Sequence, residues 1–180
     1  DVPPGKGIVH AIWLTYDNVI GGAEHQRWYT LGGSIVTGQT HASLTIYEST
    51  DGNFNAPPIT AAHSVGSATL SFDSCTSGQL DYNFADGSAR AGTIPLTRLL
   101  PNVDCPNTDP VLTNRYFALS GSWYDAATAG QGLAVELNLS AGVVFIGWPT
   151  YAPNGAGAGP AGQRWYTGQG TWQGTGPPPY

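Results

Sequence analysis

Apolar and polar positions alternate with period two along most of this chain, and no apolar stripe is sustained at helical spacing. The run Ile8-Val9-His10-Ala11-Ile12-Trp13-Leu14-Thr15-Tyr16 is crowded with the β-branched and aromatic side chains that suit a pleated, half-buried surface. A Gly-Gly turn within residues 18–23 separates it from a second strand over residues 26–30. Residues 42–47 place Leu44 and Ile46 on one face and Thr45 and Tyr47 on the other. Two more strands, 67–72 and 79–84, are joined by the turn at Cys75; Leu80, Tyr82 and Phe84 share a face against Gln79, Asp81 and Asn83. Asp86-Gly87 is the strongest hairpin signal and leads into residues 89–99. Further strands are expected over 121–125, 131–137, 143–151 and 163–167. Nine or ten short strands, with no helix to cross between them, predict an all-β fold, an antiparallel meander forming a barrel or a two-sheet sandwich.

The alternation is duplicated. Gln26-Arg27-Trp28-Tyr29-Thr30 recurs letter for letter as Gln163-Arg164-Trp165-Tyr166-Thr167. Upstream, Val9, Trp13, Thr15 and Tyr16 match Val144, Trp148, Thr150 and Tyr151. The tryptophans Trp13 and Trp148 lie 135 positions apart and the pentapeptides 137, so a two-residue loop insertion separates the copies. Internal repetition of this kind governs the architecture before any other feature does.

The set Gly121-Ser122-Trp123-Tyr124-Asp125, Gly130-Gln131-Gly132-Leu133, Trp148-x-Thr150-Tyr151 and Gln163-Arg164-Trp165-Tyr166 resembles a tandem β-repeat unit of uncharacterised secreted and surface proteins of bacteria. That unit closes on a Pro-Leu-Thr-Arg-Leu segment, found here as Pro95-Leu96-Thr97-Arg98-Leu99. The Gly-x-Trp-Tyr opening is also similar to the first strand of avidin-like barrels, a likeness of fold alone. The resemblance implies an out-of-phase repeat. Residues 6–100 form a β-unit lacking its first hairpin, residues 101–118 a linker, and residues 119–180 the opening half of a second copy. A unit without its first hairpin exposes sheet edges, and residues 119–141 could close that sheet or a neighbour's. The expected partner is therefore the chain itself, in a homo-oligomer or a head-to-tail assembly.

Charge is sparse, 10% of 180 residues with a net of −6, and the six Lys and Arg residues are scattered, which argues against nucleic acid or an anionic membrane surface as partner. No apolar run reaches the length of a membrane-spanning helix, so no membrane insertion by a helix is expected. In a Gly-, Ser- and Thr-rich β chain with no Met, Cys75 and Cys105 are expected to form a disulfide in a secreted, extracellular or cell-surface protein.

The distinctive side chains are aromatic. Trp13, Tyr16, Trp28, Trp148, Tyr151, Trp165 and Trp172, with Arg27 and Arg164, form a candidate platform for stacking on the C–H faces of sugars, which makes a polysaccharide a possible second partner. The competing reading places half of the rings in the core, and pairs the arginines with Glu136, Asp17 or Glu24. Tyr29 and Tyr166, next in sequence to Trp28 and Trp165, must point to the opposite face.

No metal site is expected, because nothing in the spacing of His10, His25, His41 and His63 converges on a carboxylate. Asp51-Gly52-Asn53-Phe54-Asn55 starts like a calcium loop but carries Ala56 and Ala62 where glycine and glutamate are needed. The run Gly157-x-Gly159-x-x-Gly162 leads into a strand and not a helix, so it is no dinucleotide motif, and no cofactor is expected. There is no nucleophile elbow and no His-Glu-x-x-His, and no spacing singles out a carboxylate pair among Glu48, Glu136, Asp81 and Asp125. The expectation is a non-catalytic module that self-associates by strand or hairpin exchange, with glycan binding as the alternative and a glycoside hydrolase more remote.

Overall fold

The structure, a computed structural model, describes residues 5–55, 60–100, 119–125, 127, 130–138, 141–153 and 159–173. Two antiparallel sheets hold 61% of them. The first contains β1 (Lys6–Tyr16), β2 (Gln26–Val36), β3 (His41–Ser49), β4 (Ala62–Phe72), β5 (Ser77–Phe84) and β6 (Ala91–Thr97), side by side in chain order. The second contains β7 (Gly121–Trp123), β8 (Leu133–Asn138), β9 (Val143–Tyr151) and β10 (Gln163–Thr171), again each beside the next. This is the meander that short turns between period-two segments dictate.

The first sheet curls into a half-barrel. Its concave side collects Tyr29, Leu31, Leu44, Ile46, Leu70, Leu80 and Phe84, with Val9, Ala11, Trp13 and Tyr82 packed against them. A register shift between Ile46 and Tyr47 against β4 supplies a local bend of the kind that β-bulges introduce. Several strands run longer than the alternation alone suggested: β2 reaches Val36, β4 starts at Ala62 and β10 ends at Thr171. Glycine and hydroxyl residues blur the period there, while cross-strand pairing carries the backbone through.

The duplicated sequence forms a duplicated hairpin. Trp13 pairs with Tyr29, Leu14 with Trp28, Thr15 with Arg27 and Tyr16 with Gln26. At matching positions Trp148 pairs with Tyr166, Pro149 with Trp165, Thr150 with Arg164 and Tyr151 with Gln163. The two-residue offset is absorbed in the connecting loop, where each copy enters its second strand through a 3-10 turn, Ala23–His25 and Gly159–Gly162.

The described residues of segment 119–141 do not enter the first sheet. One edge of β8 bonds to β7 and the other to β9, so neither is open to β1. Within the chain the hairpin therefore extends the second copy's own sheet, and among the described residues no ladder joins the two sheets. The hairpin still lies against the half-barrel through side chains. His10 Nδ1 on β1 is 3.0 Å from Ser122 Oγ, and Arg98, just beyond β6, donates to Glu136 Oε1 at 3.2 Å. Segment 101–118 and the tail 174–180 lie outside the described residues, as does Cys105, the expected partner of Cys75. No helix among the described residues is long and apolar enough to cross a membrane.

Candidate functional site

The two hairpins dock on one another through an approximate two-fold arrangement. Gln26 Nε2 donates to the Trp165 carbonyl at 3.0 Å, and Gln163 Nε2 to the Trp28 carbonyl at 2.9 Å. In return the Trp165 amide donates to Gln26 Oε1, and the Trp28 amide to Gln163 Oε1, each at 3.4 Å. The indole of Trp28 donates to the Thr150 carbonyl, and the indole of Trp165 to the Thr15 carbonyl, both at 2.9 Å. Tyr16 meets Trp165 edge-on at 5.3 Å between centroids, and Tyr151 meets Trp28 edge-on at 5.6 Å. A primary amide offers one acceptor and two donors, so each glutamine imitates a peptide group across a gap that no strand bridges.

The arginines hold the loops that present this clasp. Arg27 donates to the carbonyls of Glu24 and Gln26, and Arg164 repeats the pattern with Ala161 and Gln163. Arg27 also reaches the Pro160 carbonyl of the other copy and pairs with Asp17 at 2.6 Å. The Asp17 carboxyl is held below the usual range, chiefly by the hydrogen bond from His25. Of the three acids weighed as arginine partners, Asp17 pairs with Arg27; Glu136 pairs with Arg98 instead.

Six of the nine platform candidates (Tyr16, Arg27, Trp28, Tyr151, Arg164 and Trp165) therefore meet in this clasp. Trp28 and Tyr151 are sealed within it, 2% and 0% exposed, so neither ring presents a face to solvent. Burial pushes the Tyr151 hydroxyl up to about 12. The backbone of Gly52 packs flat on the Tyr151 ring, where a Cβ would come within 2.1 Å. Trp13 belongs to the first core, 5.7 Å from Tyr29 and 5.0 Å from Tyr82. Trp172 lies outside the clasp, just past β10, its amide donating to the Gly142 carbonyl.

Trp148 lies on the opposite face of the second sheet, with residues that sequence reasoning did not place in a site. The register aligns Trp123, Leu133, Trp148 and Tyr166 in one row across β7 to β10. Phe54, from the β3–β4 connection, packs 5.4 Å from Trp148, and Tyr166 lies 5.8 Å from it. The Trp148 repeat together with the Gly-Ser-Trp hairpin carried the signal for this row, once the strand register was known.

Among the described residues no three His, Cys, Asp or Glu side chains gather where a metal could bind. His10 faces Ser122 and His25 faces Asp17. The Asp51 carboxylate accepts the Gly159 amide at 2.7 Å and so ties the calcium-like loop to the second copy.

Fold and site together define an all-β, two-sheet protein built on a duplicated hairpin. No family model matches the chain, and neither a curated protein nor a solved structure matches it.

Proposed function

We propose that this is a non-catalytic, secreted or surface-exposed β module that assembles with copies of itself by strand addition at the outer edge of β10. One observation carries the reading. β10 repeats β2, and in β2 the positions Thr30 to Ser34 receive β3 in antiparallel register. The matching positions in β10, Thr167 to Thr171, pair with β9 alone among the described residues and are exposed on their other side. An unpaired edge of this length is a template for another strand. The first copy also supplies the pattern that fits there: β3 alternates buried Ala42, Leu44 and Ile46 with polar positions.

The other proposed elements follow the sequence: secretion, and a Cys75–Cys105 bridge that would tie the β4–β5 turn to the segment after β6.

The test blunts the edge without disturbing the fold. A Cβ on Gly168 would lie 4.0 Å from Ile146 Cβ, and one on Gly170 3.6 Å from Val144 Cγ1, both ordinary contacts. The double variant Gly168→Lys/Gly170→Lys is expected to fold and to remain monomeric in light scattering coupled to size exclusion, while the parent chain grows in mass as concentration rises. A parent chain that stays monomeric across the accessible concentration range overturns the reading.

A further inference from the structure

We infer that the aromatic row on the open face of the second sheet is a binding site for a neutral oligosaccharide. This does not rest on strand addition, which uses the edge of β10 and not this face.

The comparison with the first copy shows what is unusual. There the equivalent pair, Tyr29 buried and Trp13 part-buried, packs against Tyr82 and Phe84, and Arg90 lies 3.9 Å above the Phe84 ring. In the second copy Phe54 packs on Trp148, while Tyr166 and Trp123 are each 50% exposed. Between Trp123 and Trp148 lies a cleft of about 550 Å3, also lined by Phe54, Tyr124, Asp125 and Gln131.

Three features fix the ligand class. First, one row across the face carries the rings of Trp123, Trp148 and Tyr166, with Trp123 and Trp148 lining the cleft and Tyr166 beside Trp148. Four adjacent strands span about 14 Å at the usual strand spacing, which is room for a short saccharide whose apolar C–H faces stack on the rings. Second, the polar groups suit hydroxyls. Gln131 Oε1 accepts the Thr150 hydroxyl at 2.5 Å, which leaves its Nε2 donor for a ligand hydroxyl. Third, no Lys, Arg or His is among the described residues that line the cleft, and the chain carries a net charge of −6, which disfavours an acidic sugar or a phosphate. The site is also held in place before binding: the Trp123 indole donates to the Leu119 carbonyl at 2.9 Å.

Titration of the full chain with cellohexaose, xylohexaose and chitohexaose, followed by tryptophan fluorescence and calorimetry, tests the assignment, with hexagalacturonate as the acidic control. Expected is saturable binding of at least one neutral hexasaccharide, none of the acidic one, and weakening of tenfold or more in both Trp123→Ala and Tyr166→Ala. Both positions are half exposed and outside the cores, and unchanged circular dichroism would show that each variant folds. Absence of binding by all three neutral probes at millimolar concentration, or equal binding by parent and both variants, overturns the proposal. So does a parent chain whose self-association is abolished by Trp123→Ala, because the face would then be covered by a second copy.

Discussion

Trp28 and Trp165 occupy equivalent places in two hairpins of the same sequence and register, and both indoles donate to the carbonyl of a matching threonine. Their surroundings differ. Trp28 and its partner Tyr151 are enclosed, with β3 and Gly52 of the first half packed around them. Trp165 is only part-buried, and its partner Tyr16 is 54% exposed. The cause is topological: β2 continues into β3 and three more strands, whereas no described strand lies beyond β10. Identical local chemistry thus produces a sealed half and an open half, and the difference measures what the neighbouring strands contribute.

Truncation of the two tryptophans should break this comparison most visibly. Trp28→Ala is expected to cost about 3–5 kcal/mol, since a large buried ring is lost and little can collapse into its place. Trp165→Ala should cost about 0.5–3 kcal/mol, because water already reaches its surroundings. Urea unfolding midpoints of the two variants measure the gap, and equal costs would mean that the halves are energetically alike.

The glutamines sharpen it at the level of single hydrogen bonds. Gln163 is fully buried, and its amide nitrogen serves the carbonyls of both Trp28 and Ser49. Gln163→Ala strands these groups away from solvent, at about 1–3 kcal/mol for each. Gln26→Ala removes the same bond from the part-buried half, where water substitutes, so a loss of about 0.5–1.5 kcal/mol is expected. The same unfolding experiment, with a double-mutant cycle, separates the two contributions.

The smallest effect concerns the lid over the first copy's rings, which has no counterpart among the described residues of the second copy. Arg90 donates to Tyr29 Oη at 3.0 Å and to Asp86 Oδ2 at 2.7 Å. Desolvation raises the Asp86 carboxyl, but hydrogen bonds from Ser88 and Arg90 outweigh it and bring the group down to about 2. A depressed folded-state value contributes stability that is present above the unfolded carboxylate range and lost as pH falls through the folded value. The parent chain should therefore lose stability between about pH 4 and pH 2, and Asp86→Asn should flatten that part of the profile. Unfolding midpoints across pH 5 to 2 show the difference; parallel profiles would remove Asp86 from the explanation.

Much of this architecture was legible in the sequence. Alternation around Leu44–Ile46 and Leu80–Phe84 gave the all-β class, because the side-chain period of a strand is set by backbone geometry alone. The repeated pentapeptide gave the duplicated hairpin, because identical neighbours make identical cross-strand pairs. Less legible was the role of each ring. Periodicity places Trp28 and Tyr29 on opposite faces, yet it is silent on what covers each face, so Trp28 reads equally well as a ligand platform and as the filling between two sheets. The hairpin at residues 119–141 posed a similar choice, which the register of β8 with β9 decided within the chain. Trp123 and Tyr124 stood out only as part of the Gly-Ser-Trp-Tyr motif and Phe54 not at all; the strand register set Trp123 in line with Trp148, and the β3–β4 connection brought Phe54 beside it.

By itself, then, the sequence determined the strands, their meander and the repeat, all of which follow from short-range periodicity. The packing of hairpin against hairpin decided the rest: which tryptophan is sealed, which glutamine is irreplaceable and which aromatic row stays open. Those outcomes depend on contacts between residues more than a hundred positions apart, such as Gln26 with Trp165, and no local pattern encodes such a separation.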